Sequence, residues 1–172
     1  AKNVAAQIDR NKFDVILLGI SKKGVWFLND SIDSNIEEGS PVAISLNAEA
    51  PTLLDQTKNQ SFSIDVAFPI LHGTDGEDGA VQGLFKALSV PVVGSGVLGS
   101  AVSMDKVISK RILRESGVPV ANYLSFSKSE QDTIRFSRIV AKLGLPFMVK
   151  SASLGSSVGV NKVKNESDLT KA

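Results

Sequence analysis

The sequence has no cysteine at all, one histidine, one tryptophan and one tyrosine among its 172 residues. The missing thiols exclude disulfides, thiolate metal sites and a cysteine nucleophile, and they suit a reducing compartment. Charge of either sign is also not in excess: 19 basic residues face 18 acidic ones for a formal net charge of +1. Such a chain has no global field to recruit nucleic acid or an anionic membrane, so any specificity must be local. No apolar run approaches the roughly 18 residues of a membrane span, and a cytoplasmic location is the expectation. With 42% hydrophobic residues and only 6% aromatics, the chain can still bury a core. It has room for one domain or two small ones.

What is present is an alternation of strand-like and helical segments. Residues 13–20 form a continuous apolar run suited to a buried strand, and Ser21-Lys-Lys-Gly24 turns the chain toward a second strand at 25–27. Residues 29–60 are polar and irregular, which reads as surface loop with one edge strand at 42–46. Further strands are expected at 64–71, 90–93, 123–126, 145–149 and 158–163, and helices at 1–10, 79–88 and 100–116. Ser129-Glu-Gln-Asp132 resembles a capping box before a helix whose Phe136, Ile139, Val140 and Leu143 share one face. The rhythm implies an α/β fold: an open, mostly parallel sheet with flanking helices over residues 1–102, then an α+β domain over 103–172. Uncapped helical sequence at both ends leads us to expect further chain upstream and downstream.

Two pattern matches carry little. Gly94-Ser-Gly-Val-Leu-Gly99 spells a dinucleotide fingerprint, but it follows no opening βαβ unit and no acidic residue ends a strand about 20 residues later. Ser103-Met-Asp-Lys106 spells the S-x-x-K of penicillin-binding enzymes without their other motifs. Lys106, Lys110 and Arg114 are spaced i, i+4, i+8, and for the last two a solvated basic face is the plain reading. Lys106 is different, because it lies in the first turn of its helix at the mouth of a glycine-rich connection, where lysine and helix N-terminus could share a phosphate.

Two stretches look like site architecture. Lys150 ends the apolar strand Leu145-Pro-Phe-Met-Val149, where a lysine either snorkels to water or meets an anion. The small residues that follow it, with Gly155 at their centre, can fold N–H groups over polyphosphate oxygens, although no Walker A sequence is present. His72 follows an apolar segment directly and is surrounded by Gly73, Gly76 and Gly79. A lone histidine is usually structural, but this placement suits a donor to an anionic or developing oxyanion group. Glu77 and Asp78 would steady its loop and the following helix N-terminus.

In order along the chain, His72-Gly-Thr-Asp-Gly-Glu-Asp-Gly79, Val93-Gly-Ser95, Ser103-Met-Asp-Lys106 with Lys110, Leu143-Gly-Leu-Pro146, Val149-Lys150 and Gly155-Ser-Ser-Val-Gly159 resemble the bacterial D-alanine-D-alanine ligases of the ATP-grasp superfamily. The resemblance runs from end to end of the chain, at about half the length usual in that family. It implies Lys106 and Lys150 at the nucleotide phosphates, with Gly155, Ser156, Ser157 and Val158 in the loop that closes over the γ-phosphate. It also implies His72 and the Ser156 hydroxyl at the first D-alanine. ATP would phosphorylate the carboxylate of one D-alanine, and the amine of a second would attack the acyl phosphate, to supply dipeptide for peptidoglycan. The Mg²⁺ or Mn²⁺ ligands of the family, its arginine and its second-substrate loop would fall beyond Ala172. Its ammonium-binding glutamate would fall before Ala1, so the 172 residues alone would not turn over. A homodimer is implied as well. Ser151 and Leu154 depart from the family's proline after the phosphate lysine and its polar residue before the loop glycine, which bears on nucleotide affinity. Relatives that join D-alanine to D-lactate or D-serine, and a non-catalytic nucleotide-binding or oligomerisation module, are the alternatives.

Overall fold

The computed structural model describes residues 1–47, 49–155 and 158–171. They divide into two compact units, Ala1–Ile70 with Gln82–Gly94, and Leu71–Val81 with Ser95–Ala172.

The first unit is built on a five-stranded sheet in the order β1 (Leu17–Ile20), β2 (Trp26–Asn29), β3 (Ser40–Ile44), β4 (Thr52–Asp55), β5 (Gln60–Ser63). The mixture of helix and strand is as expected from sequence, but the direction of the sheet is not, because every named pair is antiparallel. The reason lies in the connections. Parallel neighbours need a crossover of a dozen or more residues, whereas β1 and β2 are joined by a tight turn. In that turn Gly24 takes a φ of +78°, its N–H donates to Ser21 O, and Ser21 N–H donates to Val25 O.

The strand expected at 42–46 within the polar stretch forms as β3, two residues earlier, but the part expected to be loop also contains β4 in full. Its hydrophobic period is hidden by a buried carboxylate. Along β4, Leu53 (2% exposed) and Asp55 (0%) point inward while Thr52 and Leu54 are half-buried. Asp55 Oδ1 accepts from Thr57 and Lys58 N–H at 2.8 and 3.0 Å, an Asx-type turn that starts the return into β5. The Lys58 N–H is the largest of the influences that hold its carboxyl below the usual range, against the opposing effect of desolvation.

The strand expected at 64–71 reduces to a single parallel bridge between Ala67 and Val92. Helix α1 (Lys2–Gln7) precedes β1, and α2 (Ala80–Ala87) crosses the boundary of the units between Val81 and Gln82. Leu53, Ala67, Phe85, Leu88 and Val90 are the buried apolar residues of this unit, with Trp26 meeting Phe85 edge-on at 6.2 Å.

In the second unit the helix expected over 100–116 is two helices, α3 (Val97–Met104) and α4 (Lys106–Glu115). Asp105 interrupts them with extended backbone (φ −86°, ψ 110°) and caps α4 through Val107 and Ile108 N–H at 2.8 and 2.9 Å. The α4 C-terminus closes as a Schellman motif, with Val118 N–H on Leu113 O and Gly117 at φ +76°. No strand forms at 123–126. The capping interaction falls two residues earlier than expected, with Glu130 Oε2 accepting from both the N–H and the hydroxyl of Ser127. It opens a short 3₁₀ segment ahead of α5 (Phe136–Leu143). An antiparallel hairpin of β6 (Phe147–Lys150) and β7 (Val160–Val163) follows, and α6 (Glu166–Lys171) closes the described chain. Ile139, Phe147 and Val163 form the buried cluster beneath that hairpin.

Candidate functional site

The second unit contains the described candidates His72, Lys106, Lys150, Gly155 and Val158. His72 lies in the loop before α2, its side chain 83% exposed, with Nδ1 4.0 Å from Glu77 Oε1. The loop is tied by its own acids. Glu77 Oε2 accepts from Gly73 N–H at 2.5 Å, and Asp78 accepts from Asp75 N–H at 2.9 Å and Ala80 N–H at 3.1 Å. Those N–H groups, Asp75 first, hold the Asp78 carboxyl below the ordinary carboxylate range. Gly79, at φ +102°, must be glycine on two counts, since a Cβ there would also sit 2.8 Å from Val97 O.

Lys150 ends β6, exposed, paired through its backbone with Val160 across the hairpin. Beyond it the glycine-rich segment runs back toward the α3–α4 junction. The Lys106 ammonium donates to Leu154 O at 2.5 Å and Ala152 O at 3.4 Å, and its backbone N–H donates to Ala152 O at 3.0 Å. A Cβ at Gly155 would lie 3.8 Å from Glu77 Oε2 and 3.9 Å from Met104 Cε. The structure thus brings Glu77, the partner of His72, together with Gly155 and Lys106. Val158 N–H donates to Gly155 O at 3.0 Å. Ser156 and Ser157 lie outside the described residues.

Lys110 and Arg114 do not present a merely solvated face. Lys110 Nζ and Arg114 Cζ lie 5.0 and 5.1 Å from the centre of the Tyr123 ring, and Lys110 also donates to Ala121 O. Arg114 and Tyr123 line a shallow cavity of about 460 Å³ with Val118, Pro119, Asn122 and Lys142. None of His72, Lys106 or Lys150 reaches it.

Two residues that sequence reasoning passed over sit between these groups. Asp105 Oδ2 accepts from the Ser153 hydroxyl at 3.4 Å while Oδ1 caps α4. The Ile108 N–H, then the Val107 N–H and Ser153, keep its carboxyl below the usual range despite partial desolvation. Asp105 stood inside the helix expected over 100–116, and nothing local to Ser153 announces its partner 48 residues away.

The site is thus a glycine-rich segment held by Lys106 in the same compact unit as an exposed histidine and its acidic loop. Residues 1–95 match the family model described as D-ala D-ala ligase N-terminus, and residues 112–172 match D-ala D-ala ligase C-terminus. The chain belongs to the D-alanine–D-alanine ligase family. It is 46% identical to a D-alanine–D-alanine ligase of Shouchella clausii and 41% identical to D-alanine–D-alanine ligase A of Escherichia coli O6:H1, covering 100% of this chain and 50% of each relative. The chain therefore spans about half the length of these relatives. Among solved structures it superposes on the D-alanine-D-alanine ligase of Coxiella burnetii with a TM-score of 0.83 at 34% identity, over 99% of this chain and 52% of that one. The VanG D-Ala:D-Ser ligase of Enterococcus faecalis gives the same TM-score at 31% identity, over 98% and 51%.

Proposed function

We propose that the protein carrying this chain is an ATP-dependent ligase that joins two D-alanine molecules in the cytoplasm, acting as a homodimer and supplying D-alanyl-D-alanine for peptidoglycan. In this reading residues 1–102 belong to a substrate-binding domain and residues 103–172 to a central ATP-grasp domain. The observation that carries it is the gathering of Lys106, Gly155 and the His72–Glu77 loop in one compact unit.

Charge is the first problem such a site must solve. Transfer of a γ-phosphoryl group to a carboxylate brings anions together, and positioned cations and N–H donors lower that barrier more than any covalent chemistry the protein could add. Lys106 and Lys150 are assigned to the phosphates, with Gly155, Ser156, Ser157 and Val158 as the loop over them. A carboxylate oxygen of the first D-alanine attacks the γ-phosphorus and ADP leaves. The amine of the second then attacks the acyl carbon, and phosphate departs carrying that carboxylate oxygen. His72, exposed and 4.0 Å from Glu77, is assigned to the first D-alanine, where it orients the carboxylate and offsets charge beside the Ser156 hydroxyl. Among the described residues no three His, Asp or Glu side chains converge as a metal site. Magnesium or manganese would be held by residues outside this chain.

A labelled carboxylate tests the route. With ¹⁸O in the D-alanine carboxyl group, the intact protein should release inorganic phosphate containing one labelled oxygen per dipeptide formed. Unlabelled phosphate would overturn the acyl-phosphate reading. A second reading, a D-serine acceptor, is favoured by the likeness to the D-Ala:D-Ser ligase.

A further inference from the structure

Three consecutive residues at the α3–α4 junction each meet the glycine-rich segment. Met104 Cε lies beside Gly155, Asp105 Oδ2 accepts from the Ser153 hydroxyl, and Lys106 donates to the carbonyls of Ala152 and Leu154. We propose that Asp105 and Lys106 form an anchor for residues 152–154 that holds the glycine-rich loop in place before any nucleotide arrives. The two are positioning residues in this respect, acting on the loop and through it on whatever the loop covers.

The chemistry of the two side chains divides the work. An ammonium group has three donors. Two of those on Lys106 reach Leu154 O and Ala152 O, so a third is left for an anion. A phosphate bound there would be tied to the loop by the same ammonium. Asp105 likewise uses each oxygen differently, Oδ1 on the helix cap and Oδ2 on Ser153. Because the cap fixes the carboxylate rigidly at the start of α4, Ser153 is held to a rigid element instead of to another loop. The meaning of the anchor for catalysis rests on the nucleotide reading above; its existence does not.

Limited subtilisin digestion of the intact, nucleotide-free protein, with cut sites identified by mass, tests it without any activity. Lys106→Met should speed cleavage within residues 151–159 by about tenfold, and Lys106→Arg, which keeps the charge and donors, should stay within about twofold of wild type. Ser153→Ala should give about threefold, as should Asp105→Ser, which keeps an N-cap oxygen but loses the one that reaches Ser153. The double variant should cleave no faster than either single one, the signature of one shared contact. ATP KM should rise with kcat little changed in Ser153→Ala. Wild-type cleavage rates in Lys106→Met, or multiplicative effects of Asp105→Ser and Ser153→Ala, would overturn the anchor. Absence of D-alanine-dependent ADP formation by the wild type would instead overturn the ligase reading, with the digestion result still deciding the anchor.

Discussion

Replacing Ile139 by alanine should remove much of the support beneath the hairpin that carries Lys150. Ile139 is 5% exposed in α5 and packs with Phe147 of β6 and Val163 of β7, ringed by Phe136, Val140, Leu143 and Val149. The substitution deletes three carbons, worth about 2.4 kcal/mol at ~0.8 kcal/mol per buried methylene. The cavity left behind adds to this, because β6 and β7 are held in register by their ladder and cannot collapse freely onto α5, so a total of about 3–4 kcal/mol is expected. Against an overall stability of about 5–15 kcal/mol that is a large fraction. Urea unfolding of the intact protein, followed by far-UV circular dichroism, should show the midpoint of the unit containing α5 falling by about 1–2 M at a typical slope. Ile139→Val, which removes one methyl, should cost about 1 kcal/mol. A loss below about 1 kcal/mol for the alanine variant, or equal losses for both, would mean that α5 is not docked on the hairpin as described.

Lys150→Ala should weaken ATP binding at least about tenfold with little change in melting temperature, since the side chain is exposed and removes only a charge-assisted contact; unchanged affinity by titration calorimetry would take Lys150 out of the phosphate site. His72→Ala should raise the KM for D-alanine and leave ATP affinity alone, and an effect confined to ATP would contradict its assigned place. Gly79→Ala should destabilise by about 1–2 kcal/mol from left-handed backbone alone, more with the clash at Val97 O, read as a drop in thermal midpoint. Acid should destabilise the fold: Asp55, Asp78, Asp105 and Glu130 all titrate below their reference values of 3.8 and 4.5. The unfolded chain takes up protons first as pH falls, so their contribution is full above those references and is lost as pH drops through the lower folded values. Melting temperatures that stay flat between pH 5 and about pH 2 would contradict this.

The strands β1, β2, β6 and β7 were legible because each pair flanks a glycine-bearing turn, Gly24 between β1 and β2 and Gly155 and Gly159 between β6 and β7, and α5 because its apolar period is clean. The direction of the sheet was not. Periodicity says that a strand is buried, while direction is set by how the chain returns, and the turn after Ile20 is too short to allow a crossover. Strand β4 was hidden by Asp55, whose inward carboxylate breaks the apolar alternation although its Oδ1 accepts from Thr57 and Lys58 N–H. The break at Asp105 was masked because its flanking sequence is helical on both sides, and only the cap geometry separates α3 from α4. At the site, the ordered motifs named the groups, but the closeness of Gly155 to Glu77 and of Lys106 to Leu154 depends on tertiary placement that no local pattern encodes.

The ligase reading meets its most direct test in product analysis by mass, with the intact protein, ATP and Mg²⁺ offered D-alanine, L-alanine, and D-alanine mixed with D-serine or D-lactate. The expected result is D-alanyl-D-alanine with one ADP per dipeptide, none from L-alanine, and no mixed product in appreciable yield. A folded, full-length protein that binds ATP but forms no dipeptide would contradict the account, and a dominant D-alanyl-D-serine product would move it to the second reading.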